Sequence, residues 1–150
     1  MGGVHFQVRH PADLYEPRRA VRDLATADGF SRADGQELAI VVSELVSNIL
    51  KYGVRGSIEL ESERSSQPAI HIVARDEGPP FHDLQLALRD GYDDRGPIDP
   101  ASLLKRGGIG TGLGAVVRLT DSFRVDYTGG GGKAIHVVRY RTRRSRGSAR

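Results

Sequence analysis

Residues 31–53, SRADGQELAIVVSELVSNILKYG, decide how the rest of the chain is read. Leu38, Val41, Val42, Leu45 and Ile49 recur three and four apart, which gathers them on one face of an α-helix. Ser31 followed by Asp34 is a helix-start pairing, and Tyr52-Gly53 is a usual stop. Such an apolar stripe belongs to a core and needs a surface to lie against. The next two runs supply one. GSIELESE (56–63) and AIHIVARD (69–76) alternate with period two, with Ile58 and Leu60, then Ile70, Ile72 and Ala74, facing one way. SSQP between them reads as a hairpin turn, and Asp76 keeps the parity of the buried face.

Working outward, residues 3–9 put Val4, Phe6 and Val8 on one side of a strand. A helix is expected over 14–27, carrying Val21, Leu24 and Ala25 and stopping at Asp28-Gly29. Downstream come a short helix over 83–90, an irregular stretch over 91–108 and a helix over 113–120. Two strands, FRVDYT (123–128) and KAIHVVRYR (133–141), flank GGGG. The order β-α-α-β-β-α-loop-α-β-β predicts an α/β (α+β) two-layer sandwich, with helices on one face of a mainly antiparallel mixed sheet. No internal repeat is present.

The 150 residues fit one domain, expected over 1–141, with a basic tail over 142–150 that is expected to fray. The net charge of +3 is uneven. Of 22 basic residues, six arginines fall from Arg139 onward without an acid, which leaves 1–138 with 16 basic against 19 acidic groups. The body is mildly acidic, and the basic tail reads as a solvated terminus, with a nucleic-acid or acidic-protein contact there as the alternative, so no specific nucleic-acid partner is expected. With no cysteine there is no disulfide framework and no thiolate metal site. His5, His10, His71, His82 and His136 show no metal-ligand spacing and read as structural or surface groups. No apolar run is long enough to span a membrane and no secretory signal opens the chain, so a soluble, cytoplasmic protein is expected.

Three segments carry chemistry. On the 31–53 helix, Glu44, Asn48 and Lys51 or Tyr52 stand at i, i+4 and i+7 or i+8 and share a strip beside the apolar stripe. An amide oxygen suits Mg²⁺, a lysine suits phosphate, and a carboxylate beside an anionic ligand makes sense as a base for an attacking group. The same strip would also serve as an ordinary polar flank. RDEGPPF (75–81) ends a strand on a carboxylate and turns at once through Gly78, Pro79 and Pro80. A buried carboxylate needs a donor, and an adenine amino group is one. GGIGTGLG (107–114) has five glycines in eight residues ahead of an apolar helix, a setting in which backbone N–H groups ring a phosphate. It is neither a Walker loop nor a dinucleotide turn, since no Lys-Ser or Lys-Thr follows and no strand leads directly in.

In this order the three resemble the N box, first glycine box and second glycine box of the Bergerat-fold (GHKL) ATPase superfamily, over roughly residues 4–140. The resemblance implies ATP and Mg²⁺ as cofactors. By it Asn48 holds Mg²⁺, Lys51 and Tyr52 line the ligand, and Asp76 and Gly78 meet adenine. Gly108, Ile109, Gly110, Thr111, Gly112, Leu113 and Gly114 wrap the phosphates, and Glu44 is the catalytic base. Pro80 departs from the pattern, standing where many members have a second glycine. The short chain is most similar to the anti-sigma regulatory serine/threonine kinase branch, with the RsbT type nearest and the RsbW and SpoIIAB type next. That branch implies phosphorylation of a STAS-domain anti-sigma antagonist, with a sigma factor or PP2C-type phosphatase as further partners and no membrane. A nucleotide-binding regulator without transfer, such as an anti-sigma factor or phosphatase activator, is the alternative.

Residues 91–108 precede the phosphate glycines and are expected to act as a lid, with Arg95, Lys105 and Arg106 as candidates to touch phosphate or partner. Limited proteolysis should therefore cut this stretch in the nucleotide-free protein and spare it with ATP bound. Equal cleavage in both states would remove the lid assignment.

Overall fold

The computed structural model describes residues 3–51, 55–81, 83–88, 92–93, 96–97 and 112–142. Strands β1 (Gly3–Val8), β2 (Gly56–Glu63), β3 (Ala69–Asp76), β6 (Ser122–Tyr127) and β7 (Lys133–Tyr140) form one sheet in the order β1-β2-β3-β7-β6. Helices α1 (Tyr15–Ala27) and α2 (Arg32–Lys51) lie between β1 and β2 in the chain. After β3 come α3 (Leu84–Ala87), the two-residue strands β4 (Tyr92–Asp93) and β5 (Gly96–Pro97), and α4 (Leu113–Arg118).

The expected mixed sheet is antiparallel at every pairing among the described residues. One crossover helix would return the chain parallel. A second helix adds one more reversal, so β2 comes back antiparallel to β1. Inward positions are even-numbered on β1 to β3 and odd-numbered on β6 and β7. Val8, Ile58, Leu60, Ile70, Ile72, Ala74, Ile135 and Val137 pack there against Val21 and Ala25 of α1 and Leu38, Val41, Val42, Leu45 and Ile49 of α2. Each is 2% exposed or less, and each large aliphatic group so buried contributes about 1.5–3 kcal/mol.

Local differences from the sequence reading have local causes. A 3₁₀ turn, Pro11–Leu14, precedes α1 because the Asp13 carboxylate accepts from the backbone N–H groups of Arg9 at 2.8 Å and His10 at 3.0 Å. Those two donors hold its carboxyl below the usual range. The start of α2 is as read, with the Asp34 N–H donating to Ser31 Oγ at 3.1 Å. Among the described residues, Leu84–Ala87 is helical within 83–90, and Leu113–Arg118 within 113–120. The stretch expected to be irregular holds the β4–β5 pair, where Pro97 needs no donor in so short a ladder. The rest of that stretch, like the tail from 143, lies outside the described residues.

Arg139, counted above with the basic tail, belongs to the core. At 2% exposure its guanidinium donates to Asp34 Oδ1 at 2.7 Å, Glu37 Oε2 at 3.2 Å and the Leu119 carbonyl at 2.8 Å. One side chain of β7 thus ties the first turns of α2 to the end of α4.

The outer face of the sheet is polar and carries a hydrogen-bonded row. Arg124 Nη2 lies 2.9 Å from His136 Nδ1, His136 Nε2 lies 3.0 Å from His71 Nδ1, and His71 Nε2 lies 2.6 Å from Glu63 Oε1. A guanidinium only donates and a carboxylate only accepts, so each imidazole carries its proton on Nε2 in this row. A second proton on either ring would face a donor. Burial first, then the charge of Arg124, holds the His136 pKa below its ordinary 6.5, and the His71 hydrogen bond holds Glu63 low. The unfolded chain therefore takes up protons before the folded one as pH falls. Stability from His136 should be complete above pH 6.5 and lost on acidification through its lowered pKa, which a melting series from pH 8 to 5 checks. His136→Gln should flatten the upper part of that slope.

Candidate functional site

Glu44 and Asn48 stand one turn apart on α2 and are 3% and 7% exposed. The middle of α2 packs against α1, α4 and the strands β2 and β3, so even its polar strip is largely buried. An ordinary solvated flank does not fit that burial. The Asn48 Nδ2 amide is buried with no hydrogen-bond partner. Leaving such a group unmet costs about 1–3 kcal/mol, which makes Asn48 a candidate for meeting a ligand. An amide offering an oxygen to a hard cation and an N–H to a phosphate oxygen fits a Mg·triphosphate. Lys51, half-buried, is the last residue of α2.

At the end of β3, Asp76 has a side chain only 2% exposed. Its Oδ1 accepts from the Gly78 N–H at 2.8 Å and from Lys133 Nζ at 2.9 Å. Lys133, the first residue of β7 and the register partner of Asp76, has a side chain that is 0% exposed. Its ammonium also donates to the Pro79 carbonyl at 3.0 Å and sits 5.1 Å from the Phe81 ring centre. Two charges out of water persist because they meet each other with further hydrogen bonds. The sequence reading assigned adenine as the donor to this carboxylate and left Lys133 as a plain strand residue. A usable signal was present, since Lys133 shares parity with Ile135 and Val137, and a lysine on a buried face needs an acid.

The sheet brings these pieces to one end of the molecule. Gly56, paired with Asp76, lies so close beneath α2 that a Cβ there would come within 2.2 Å of Ile49 Cγ2. The half of α2 that bears Asn48 therefore lies over the end of β3 that bears Asp76. From the glycine segment, Gly112 caps α4 at φ +65, which a residue with a side chain rarely adopts, and the buried Leu113 and Gly114 begin the helix packed on α2. Tyr52, Gly108, Ile109, Gly110 and Thr111 lie outside the described residues. A cleft of about 500 Å³ beside Asp76 opens instead toward Gln7, Ser57, Arg75 and Ala134, the outward-facing residues of the sheet.

Over residues 8–139 the sequence matches the histidine kinase-like ATPase domain. The chain belongs to this family. It is 29% identical over 129 residues to the serine/threonine-protein kinase RsbT of Bacillus subtilis strain 168, covering 85% of this chain and 89% of that one. A solved structure of the SiaB–SiaC complex from Pseudomonas aeruginosa aligns with a TM-score of 0.53 at 13% identity, over 91% of this chain and 89% of that one, a likeness of fold. The ATPase-domain fold thus accounts for the antiparallel sheet and for helices gathered on its inner face. No helix among the described residues is long and apolar enough to cross a membrane.

In this ATPase domain the Asp76–Lys133 pair should behave as a buried ion pair. Lys133→Met should lower unfolding free energy by about 3–5 kcal/mol in denaturant titrations, and adding Asp76→Leu should recover most of it. A loss below about 1 kcal/mol, the size typical of exposed pairs, would show that water reaches the pair.

Proposed function

We propose that this chain is a serine/threonine protein kinase, transferring the γ-phosphoryl group of ATP to a hydroxyl of a STAS-domain antagonist in a bacterial partner-switching system in the cytoplasm. The observation that carries the reading is the buried strip of α2, where the Glu44 carboxylate and the orphaned Asn48 amide share one enclosed face. Likeness to RsbT along most of the chain supports the same reaction class. A sigma factor or a PP2C-type phosphatase belongs to the same proposal as a further partner.

Each residue has a role set by its chemistry. Asp76 meets the adenine amino group as an acceptor, with Gly78 beside it. Lys51, Tyr52 and the segment from Gly108 to Gly114 hold the triphosphate through an ammonium, a phenol and backbone N–H groups. Asn48 is the protein ligand for Mg²⁺, which when bound neutralises triphosphate charge. Glu44 takes the proton of the attacking hydroxyl as its oxygen bonds to the γ-phosphorus and the bond to the β–γ bridging oxygen breaks, releasing ADP. A carboxylate repels a bound triphosphate, so its position is useful only if it serves the nucleophile. Residues 1–141 form the kinase domain in this account, and 142–150 a separate basic tail.

Two substitutions separate the roles. Glu44→Gln should bind Mg·ATP and the partner about as well as the parent yet lose transfer by about 10²–10⁴-fold, the worth of a positioned general base. Asn48→Ala should lose Mg²⁺-dependent binding as well as transfer. Phosphate transfer from labelled ATP to a purified STAS-domain protein reads both. Unchanged transfer in both variants, or a parent protein that binds its partner without transferring, would make the chain a nucleotide-dependent switch rather than a kinase.

A further inference from the structure

The carboxylate of Asp76 is not symmetrically used. Oδ1 takes both the Gly78 N–H and the Lys133 ammonium, while Oδ2 accepts no hydrogen bond from the described residues. Lys133 makes this asymmetry rigid. It reaches from β7 to the end of β3 and across the following turn, fastening Oδ1, the Pro79 carbonyl and the face of Phe81 to one ammonium. Phe81 is 9% exposed, so the ammonium is covered on that side, while Pro79 and Pro80 of the turn are exposed. The turn it fastens contains Pro80, where the sequence pattern departs from a glycine.

We propose that Lys133 is a positioning residue that sets base specificity: by occupying Oδ1 and pinning the Pro79 carbonyl it leaves Oδ2 as the one open acceptor, so the site admits 6-amino purine nucleotides and rejects 6-oxo ones. This rests on the reading of Asp76 as the adenine contact. Three physical consequences carry it. Pairing with an ammonium keeps the carboxylate an acceptor and nothing else, which a 6-amino group satisfies and a 6-oxo group opposes. Engagement of Oδ1 by two donors from different segments stops the carboxylate from turning to present another edge. The pair is also neutral as a whole, so an acid in the base pocket adds little repulsion to a ligand that carries a triphosphate. A site built to hydrogen-bond one substituent rejects the analogue lacking it strongly, because its own polar group is then left unmet.

Inosine triphosphate differs from ATP at this substituent, and calorimetric titration of both as Mg²⁺ complexes tests the assignment. The parent protein should prefer ATP by at least about 10-fold, the size of one charge-assisted hydrogen bond. Lys133→Met frees the carboxylate, and the preference should fall below about 3-fold. Because Lys133→Met also removes a buried ion pair, Lys133→Gln, which keeps an N–H donor group and drops the charge, is measured beside it, with melting curves on every protein. Its preference should also fall at least about 3-fold from the parent value while the fold persists. Asp76→Asn separates the two levels of the argument. If it leaves ATP affinity unchanged, the adenine reading itself is wrong and this inference goes with it. If Asp76→Asn weakens ATP while folded Lys133 variants keep the parental ATP-to-inosine triphosphate ratio, the adenine reading stands and Lys133 is only a structural tie. A parent protein that binds both nucleotides equally would also overturn the assignment.

Discussion

A carboxylate and an ammonium shut away from water at one end of the sheet constrain much of what surrounds them. Neither Asp76 nor Lys133 could be enclosed alone, because an uncompensated buried charge costs several kcal/mol. Their pairing requires β7 to lie beside β3 in the one register that sets residue 76 against residue 133. A slip by one residue would turn Lys133 outward and carry Ile135 and Val137 with it. The ion pair and the apolar face therefore specify the same register, and the turn through Pro79 and Phe81 is held by the same ammonium.

α2 experiences the complementary constraint. It is the central helix, touching α1, α4, β2 and β3, and its interior residues are apolar except where Ser43, Glu44, Ser47 and Asn48 interrupt them. Ser43 returns its hydroxyl to the Ala39 carbonyl at 2.9 Å, a local solution that costs the fold little. Asn48 has no such solution for its Nδ2. Polar groups that a core could replace with leucine, yet keeps, are where stability and function compete.

The two clasps of β7 divide the work. Arg139, near the strand's end, joins α2 and α4 through Asp34, Glu37 and the Leu119 carbonyl, and is a matter of architecture. Lys133, at its start, acts on the proposed base pocket. Both sit on the inward parity of a strand whose remaining inward residues, Ile135 and Val137, are aliphatic. The outer face of the same strand holds His136 in its hydrogen-bonded row, apart from the proposed nucleotide end of the sheet.

By itself the sequence determined the elements and their faces. Period-two alternation over 56–63 and 69–76, the stripe from Leu38 to Ile49, and the Ser31 and Asp34 pairing were all legible because they depend on residues only a few positions apart. The candidate residues Glu44, Asn48, Asp76 and the glycines from Gly108 to Gly114 were legible for the same reason, as local motifs in a fixed order. Tertiary structure alone decided that the sheet is antiparallel at each described pairing, that Arg139 leaves the tail for the core, and that Asp76 already has a partner inside the protein. Lys133 is 57 residues from Asp76 in the chain, and nothing in either neighbourhood names the other. Parity says that a residue faces inward, but only the order of strands in the sheet says whom it meets there.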